Sequence, residues 1–311
     1  MTTGSRAIVA ALGANAGIAA AKFVGFAITG SSAMLAESVH SVADTSNQGL
    51  LLFGQREAAK QADELHPFGY GRSRYFWSFV VALVLFSLGA VFALYEGYHK
   101  ITHPSAVSSP EVAVVILVVA IALETYSLHT ALSESRPLKG DSSWWRFIRT
   151  SRNPELPVVL LEDTAALVGL AMALVGVGLT ALTSNPVWDG VGTLGIGTLL
   201  GAVAIFLMLE THSLLIGEGA TSAEDQAIRA ALRQTANITG VVDIRTQYLG
   251  PDELLVAAKI VLAEPAGLVA VAETIGTAKA NVHAAVPAVR IIYLEPDLGR
   301  APVPDSLEQK G

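Results

Sequence analysis

The chain is 311 residues long, 52% hydrophobic and only 15% charged, against roughly 25% charged for an ordinary soluble domain, so lipid is its main solvent. A formal net charge of −7 argues against a nucleic-acid binder, which needs a basic face. The absence of cysteine removes disulfides, thiolate zinc ribbons and cysteine nucleophiles, and leaves His, Asp, Glu and Asn as the ligands for any metal.

The opening apolar run has one early Arg and superficially resembles a signal peptide, but it continues to Ile28. At about 1.5 Å per residue that is long enough to cross about 30 Å of hydrocarbon. It reads as the first of six transmembrane helices, at about 6–29, 31–55, 74–98, 110–132, 156–182 and 187–212. The connections at Gly30-Ser31 and Ser184-Asn185-Pro186 are too short to hold a domain, so spans one and two, and five and six, form tight hairpins. Lys and Arg are retained on the cytoplasmic side. They fill the loops after span two (Arg56, Lys60, Arg72, Arg74) and span four (Arg136, Lys139, Arg146, Arg149, Arg152), whereas the opposite loops offer Lys100 alone. Both termini are therefore expected in the cytoplasm, with the chain in the cell (inner) membrane.

From about Gly217 the continuous apolar runs stop. A helix at 223–236, strands at 241–248 and 254–262 joined by Gly250-Pro251-Asp252, a helix at 268–284 and a strand at 289–294 follow. This α-β-β-α-β order predicts a small cytoplasmic α+β domain, an open sheet with helices on one face. The expected division is a transmembrane domain over 1–216, a soluble domain over 217–297, and a Pro-rich polar tail over 298–311 that is disordered.

Ionisable side chains within hydrocarbon are costly and mark ion or proton paths. Span two carries Glu37, His40 and Asp44, span five Glu162 and Asp163, and span one Lys22. His40 and Asp44, four residues apart, share one helical face. An imidazole and a carboxylate so placed can grip one Zn²⁺ at about 2.0–2.2 Å, and Asn47 continues the face. The other reading is a buried His hydrogen-bonded to Asp as a packing device. An acidic group on a second span favours a metal site, because closing one between helices needs ligands from both. Lys22 and Glu37 fall at similar depth in the first hairpin and read as a neutralising pair. Gly190, Gly192, Gly195, Gly197 and Gly201 read as a close-packing surface on span six.

The segment Gly30-Ser-Ser-Ala-Met-Leu-Ala-Glu-Ser-Val-His-Ser-Val-Ala-Asp44 resembles the second-helix signature of the cation diffusion facilitator family. His66-Pro-Phe-Gly-Tyr-Gly-Arg72 resembles that family's loop between helices two and three, and the C-terminal element order is similar as well. The resemblance implies a homodimeric metal/proton antiporter with six helices per subunit and a cytoplasmic ferredoxin-like domain that assists dimerisation. It implies a transport site built from an HxxxD or DxxxD pair on helix two and a similar pair on helix five. His40 and Asp44 fit the first pair, and Asp163 fits the last position of the second. The position four residues before Asp163 is Val159, which cannot ligate a metal. Glu162 lies about 60° around the helix from it, and Asn47 or water are further sources of a donor.

An oxygen donor in place of His hardens the site towards Mn²⁺ or Fe²⁺, while the affinity order keeps Zn²⁺ ahead of these and of Co²⁺. The family's loop site would use Asp63, His66 and a second His where this chain has Tyr70. The soluble domain has only His283, so no structural metal pair is expected there. Arg72 fits the basic half of a family interlock, with Glu218 assigned as its acidic partner or both as solvated boundary charges. The expected function is efflux of a divalent transition metal, Zn²⁺ preferred, in exchange for protons, with no prosthetic group. No HExxH motif is present, so an intramembrane metalloprotease is not supported and the chain is not expected to be an enzyme. A membrane metal sensor or scaffold is the remaining alternative.

Overall fold

The computed structural model describes the backbone of residues 3–263 and 267–297, and side chains from residue 16 onward. The tail expected over 298–311 lies outside the described residues. The chain divides into two compact units, residues 1–215 and 216–311.

The first unit is helical. Its elements are α1 (Thr3–Thr29), α2 (Ser32–Ala58), α3 (Ser73–Val84), a π-helical segment (Leu85–Val91), α4 (Phe92–Thr102), α5 (Pro110–Lys139), α6 (Trp144–Thr150), α7 (Glu155–Thr183) and α8 (Val187–Ile216). The first hairpin turns at Gly30, whose φ of +63° lies in the left-handed region that glycine adopts without strain. Ser31 then caps α2 by accepting a hydrogen bond from the Met34 amide. The α7–α8 turn is made by Ser184, also left-handed at φ +53°.

Four helical stretches are long and apolar enough to cross a membrane: Ser73–Thr102, Pro110–Lys139, Glu155–Thr183 and Val187–Ile216. Helix α2 spans 27 residues but falls outside that class because Glu37, His40, Asp44 and Asn47 interrupt its apolar face. In α1 the apolar stretch so described is Ala16–Thr29. The stretch Ser73–Thr102, the third expected span, runs on from 98 to 102 and contains the π-helical segment, which no sequence pattern announced. Helix α5 passes 132 and continues through Pro137 to Lys139, and α6 was not foreseen.

Hydrocarbon gives no hydrophobic drive for helices to associate, so close contact depends on small residues. The span-six glycines do this. A Cβ at Gly197 would lie 2.7 Å from the Leu94 amide nitrogen, and one at Gly97 equally close to that of Leu194, so α4 and α8 touch backbone to backbone. Gly192 faces α7, where its Cβ would lie 3.1 Å from the Met172 carbonyl. Met34, Leu85, Leu117, Leu170 and Leu200 fill the interior.

The second unit contains α9 (Ser222–Arg233), β1 (Ile238–Gly250), β2 (Glu253–Leu262), α10 (Leu268–Ala285) and β3 (Val289–Asp297). Thr221 and Glu224 form a reciprocal capping box at the start of α9. The sheet order is β1-β2-β3, antiparallel between β1 and β2 and parallel between β2 and β3. A parallel neighbour requires a crossover, which α10 supplies. Leu254, Val256, Ala258 and Ile260 alternate inward along β2, at the period of two that a one-sided sheet imposes. They pack on Ile228 and Leu232 of α9 and Ala278 and Val282 of α10. Burying each large aliphatic side chain away from water is worth about 1.5–3 kcal/mol. His283 bonds the Val289 carbonyl at 2.7 Å through Nδ1.

Candidate metal site

Residues 37, 40, 44 and 47 recur at helical spacing on one face of α2. Glu37, His40 and Asn47 are buried, and the Asp44 side chain is 20% exposed. His40 Nδ1 lies 3.5 Å from Asp44 Oδ1, long for a hydrogen bond. Among the described residues neither ring nitrogen of His40 has a hydrogen-bond partner, nor has Asp44 Oδ1 or Asn47 Oδ1. Each unpaired buried polar atom costs about 1–3 kcal/mol, a cost that a bound cation would relieve.

Across from this face, α7 presents Glu162 and Asp163. Asn47 donates from Nδ2 to Glu162 Oε1 at 2.8 Å. Ser127 of α5 donates to Asp163 Oδ2 at 2.9 Å. A cavity of about 20 Å³ is lined by Asp44, Glu124, Ser127, Val159, Glu162 and Asp163, among others. It has room for one water-sized species.

Of the residues singled out from sequence, Asp44, Glu162 and Asp163 border this cavity, Asn47 is joined to it through Glu162, and His40 stands one turn from Asp44. They do not converge: among the described residues no three His, Cys, Asp or Glu side chains are arranged to hold a metal ion. Val159, the position without a donor, lines the same cavity. Glu162 meets Asn47, and Glu124 and Ser127 of α5 are additions. The available signal for Glu124 was a carboxylate in the middle of the apolar run 110–132.

Two other buried networks brace α2. Lys22 donates to Glu37 Oε2 at 3.1 Å and to Ser41 Oγ at 2.8 Å, the pairing expected from the hairpin. Gly169 leaves room for that carboxylate, since a Cβ there would stand 2.8 Å from Glu37 Oε1. At the N-terminus of α2, Asp189 of α8 accepts from Ser31 Oγ at 2.6 Å, the Ser32 amide at 2.7 Å and Ser32 Oγ at 3.0 Å. A carboxylate suits the free amides and positive end of a helix dipole. Lys100 corrects its reading as a loop charge: it is buried, donating to the Gly30 carbonyl at 3.0 Å and Ser105 Oγ at 2.8 Å, with Asp189 at 3.8 Å. Arg74, also read as a loop charge, forms a two-pronged pair with Glu155 at 2.7 and 3.0 Å.

In the loop after α2, Asp63 accepts from Tyr70 Oη at 2.6 Å and the His66 amide at 2.7 Å. The Tyr70 hydroxyl, and next the His66 amide, hold the Asp63 carboxyl below its ordinary range. Tyr70 thus engages the acid at the position where the family pattern has a second His.

A bundle with four membrane-length apolar helices, carboxylates and an imidazole inside it, and a small separate sheet defines a helical membrane protein with an internal polar site. The sequence profile of the cation efflux transmembrane domain matches residues 8–216. The chain therefore belongs to the cation efflux family, the cation diffusion facilitators. The human protein named proton-coupled zinc antiporter SLC30A9, mitochondrial, is 35% identical over 232 residues, 74% of this chain and 41% of that one. Metal tolerance protein C4 of Arabidopsis thaliana is 31% identical over 259 residues, covering 82% of this chain and 56% of the relative. Magnetosome protein MamB of Magnetospira sp. (strain QH-2) is 28% identical over 232 residues, 72% of each chain. The chain thus spans about two-fifths of the zinc antiporter's own length and just over half of the metal tolerance protein's.

Proposed function

We propose that this chain exports a divalent transition-metal cation, Zn²⁺ preferred, in exchange for protons by alternating access. The observation that carries the reading is the buried His40, unpartnered at both ring nitrogens, one turn from Asp44 on a cavity shared with Glu162 and Asp163. His40, Asp44 and Asp163 are the ligands, with Glu162 and Asn47 adjoining them. The relatives named as a zinc antiporter and a metal tolerance protein support the cargo class.

In this reading α1 and α2 complete six spans. The loop Lys and Arg place both termini in the cytoplasm, in the cell (inner) membrane. The domain boundary falls near 216, and the C-terminal unit is a ferredoxin-like domain supporting a homodimer. Metal binding requires neutral imidazole and ionised carboxylates. The cation enters from the cytoplasm to deprotonated ligands and leaves outward as protons replace it, with His40 the principal carrier because an imidazole binds metal only in its neutral form. Asp44, Glu162 and Asp163 border one cavity without converging with His40, so drawing the donors onto one ion is the local step of the cycle. The carboxylate-rich wall favours Mn²⁺ or Fe²⁺ as second cargoes by ligand hardness.

The test is ion flux into sealed proteoliposomes under a proton gradient, with Zn²⁺, Mn²⁺, Fe²⁺ and Co²⁺ offered separately. Zn²⁺ flux that disappears in the His40→Ala, Asp44→Ala double variant is expected. No flux of any of the four, or undiminished flux in the double variant, contradicts the proposal.

A further inference from the structure

We propose that Glu124 of α5 is a further ligand of the transported cation, supplying the donor that Val159 lacks on α7. This rests on the reading of His40, Asp44 and Asp163 as the transport site. Glu124 and Val159 line the same cavity as Asp44, Glu162 and Asp163. The vacant donor position and the additional carboxylate therefore face one space from neighbouring helices.

The other acids of the cavity are engaged differently. Glu162 Oε1 takes the Asn47 amide and Asp163 Oδ2 takes the Ser127 hydroxyl. Glu124 is half-buried and forms no hydrogen bond or ion pair with another described residue. A carboxylate at this depth of an apolar helix is costly to keep without a counter-charge. Its lone pairs are free to meet a cation.

A second observation points to the cation independently of the acids. His40 is 1% exposed, both its ring nitrogens lack hydrogen-bond partners among the described residues, and Nδ1 stands 3.5 Å from Asp44, which lines the cavity. Zinc takes four ligands in tetrahedral geometry. His40, Asp44 and Asp163 supply three and Glu124 the fourth. Ser127 lies three residues along α5 on the same face and, by holding Asp163, fixes α5 against α7 at this height. The resulting set has one nitrogen and three oxygens, drawn from three helices.

The test uses the full chain reconstituted in liposomes and the half-saturating Zn²⁺ concentration for transport. Glu124→Gln, which keeps shape and removes charge, is expected to raise that concentration at least about tenfold, since even residues that only support a metal ligand cost 10–100-fold in affinity. Adding Val159→Asp to Glu124→Gln is expected to recover most of the loss, by placing a carboxylate at the position that lacks one. Wild-type half-saturation in Glu124→Gln overturns the proposal, as does a loss that Val159→Asp leaves unchanged. If Glu124→Gln does not fold, Glu124→Asp, one methylene shorter, carries the same comparison. His40→Ala is the reference: unchanged half-saturation there overturns the transport-site reading itself, whereas a normal Glu124→Gln beside an impaired His40→Ala overturns only the role of Glu124.

Discussion

The amide of Asn47 on α2 and the carboxylate of Glu162 on α7 meet in a buried hydrogen bond of 2.8 Å, joining the two helices that carry the proposed ligands. Asn47 Oδ1 remains without a partner, so the residue binds α7 with one end and leaves an acceptor beside the site with the other. Asn47→Ala strands the Glu162 carboxylate. The expected cost is about 1–3 kcal/mol, read as a lower Tm in detergent, with weaker Zn²⁺ binding. Unchanged values for both would mean that the bond does not organise the site.

Lys22 and Glu37 neutralise one another at 3.1 Å, both essentially inaccessible. Removing one partner of such a pair costs about 3–5 kcal/mol, whereas replacing both with apolar residues is close to neutral. Lys22→Met and Glu37→Met are each expected to lower Tm sharply, and the double variant to regain most of it. A Glu37→Gln protein that folds and assembles normally yet no longer transports would move this pair from structure to transport.

Two glycines separate packing from propensity. A Cβ at Gly97 would lie 2.7 Å from the Leu194 amide nitrogen, whereas Gly178 has nothing within 4 Å. Gly97→Ala is expected to destabilise by about 1–3 kcal/mol through overpacking. Gly178→Ala is expected to be neutral or to stabilise by up to about 1 kcal/mol through helix propensity. Equal Tm changes in the two variants would contradict the backbone contact between α4 and α8.

The charges of α2 were legible as a candidate site because they fall at helical spacing inside an apolar run, and Val159 stood out only by its place in the family pattern. What it did not expose depends on neighbours. Glu124 has no partner within its own helix to make a motif, so only the packing of α5 against α7 brings it to Asp163. Lys100 and Arg74 count as loop charges by position, and only the meeting of Lys100 with the Gly30 carbonyl and of Arg74 with Glu155 places them inside. The π-helical turn at Leu85–Val91 depends on a shift in hydrogen-bond partner that side-chain identity does not encode. In the second unit, period-two alternation along β2 made the strand legible, while its parallel pairing with β3 follows only from the path of α10.

In the loop, the Tyr70 hydroxyl and the His66 amide hold the Asp63 carboxyl below its ordinary range. A depressed carboxylate pKa stabilises the ordered form above the unfolded value, near 3.9, and that contribution is lost as pH falls through the lower folded value. Loop order is therefore expected to persist at neutral pH and to fade only in strong acid. Tyr70→Phe should move the Asp63 midpoint upward in an NMR titration, and an unmoved midpoint would remove Tyr70 as the cause.

Proton competition gives a further expectation at the site. Because the ligands must shed protons to bind metal, the half-saturating Zn²⁺ concentration should rise as pH is lowered. His40→Ala should flatten that rise. A pH dependence identical in the two proteins would remove His40 as a proton carrier.

The most direct measurement is an anomalous-scattering structure at the zinc edge, with the coordinating atoms resolved. The expected result is one ion between α2 and α7, touched by His40, Asp44 and Asp163. An ion elsewhere in the helical unit with these side chains unengaged, or no ion within it at saturating Zn²⁺, would contradict the proposed site.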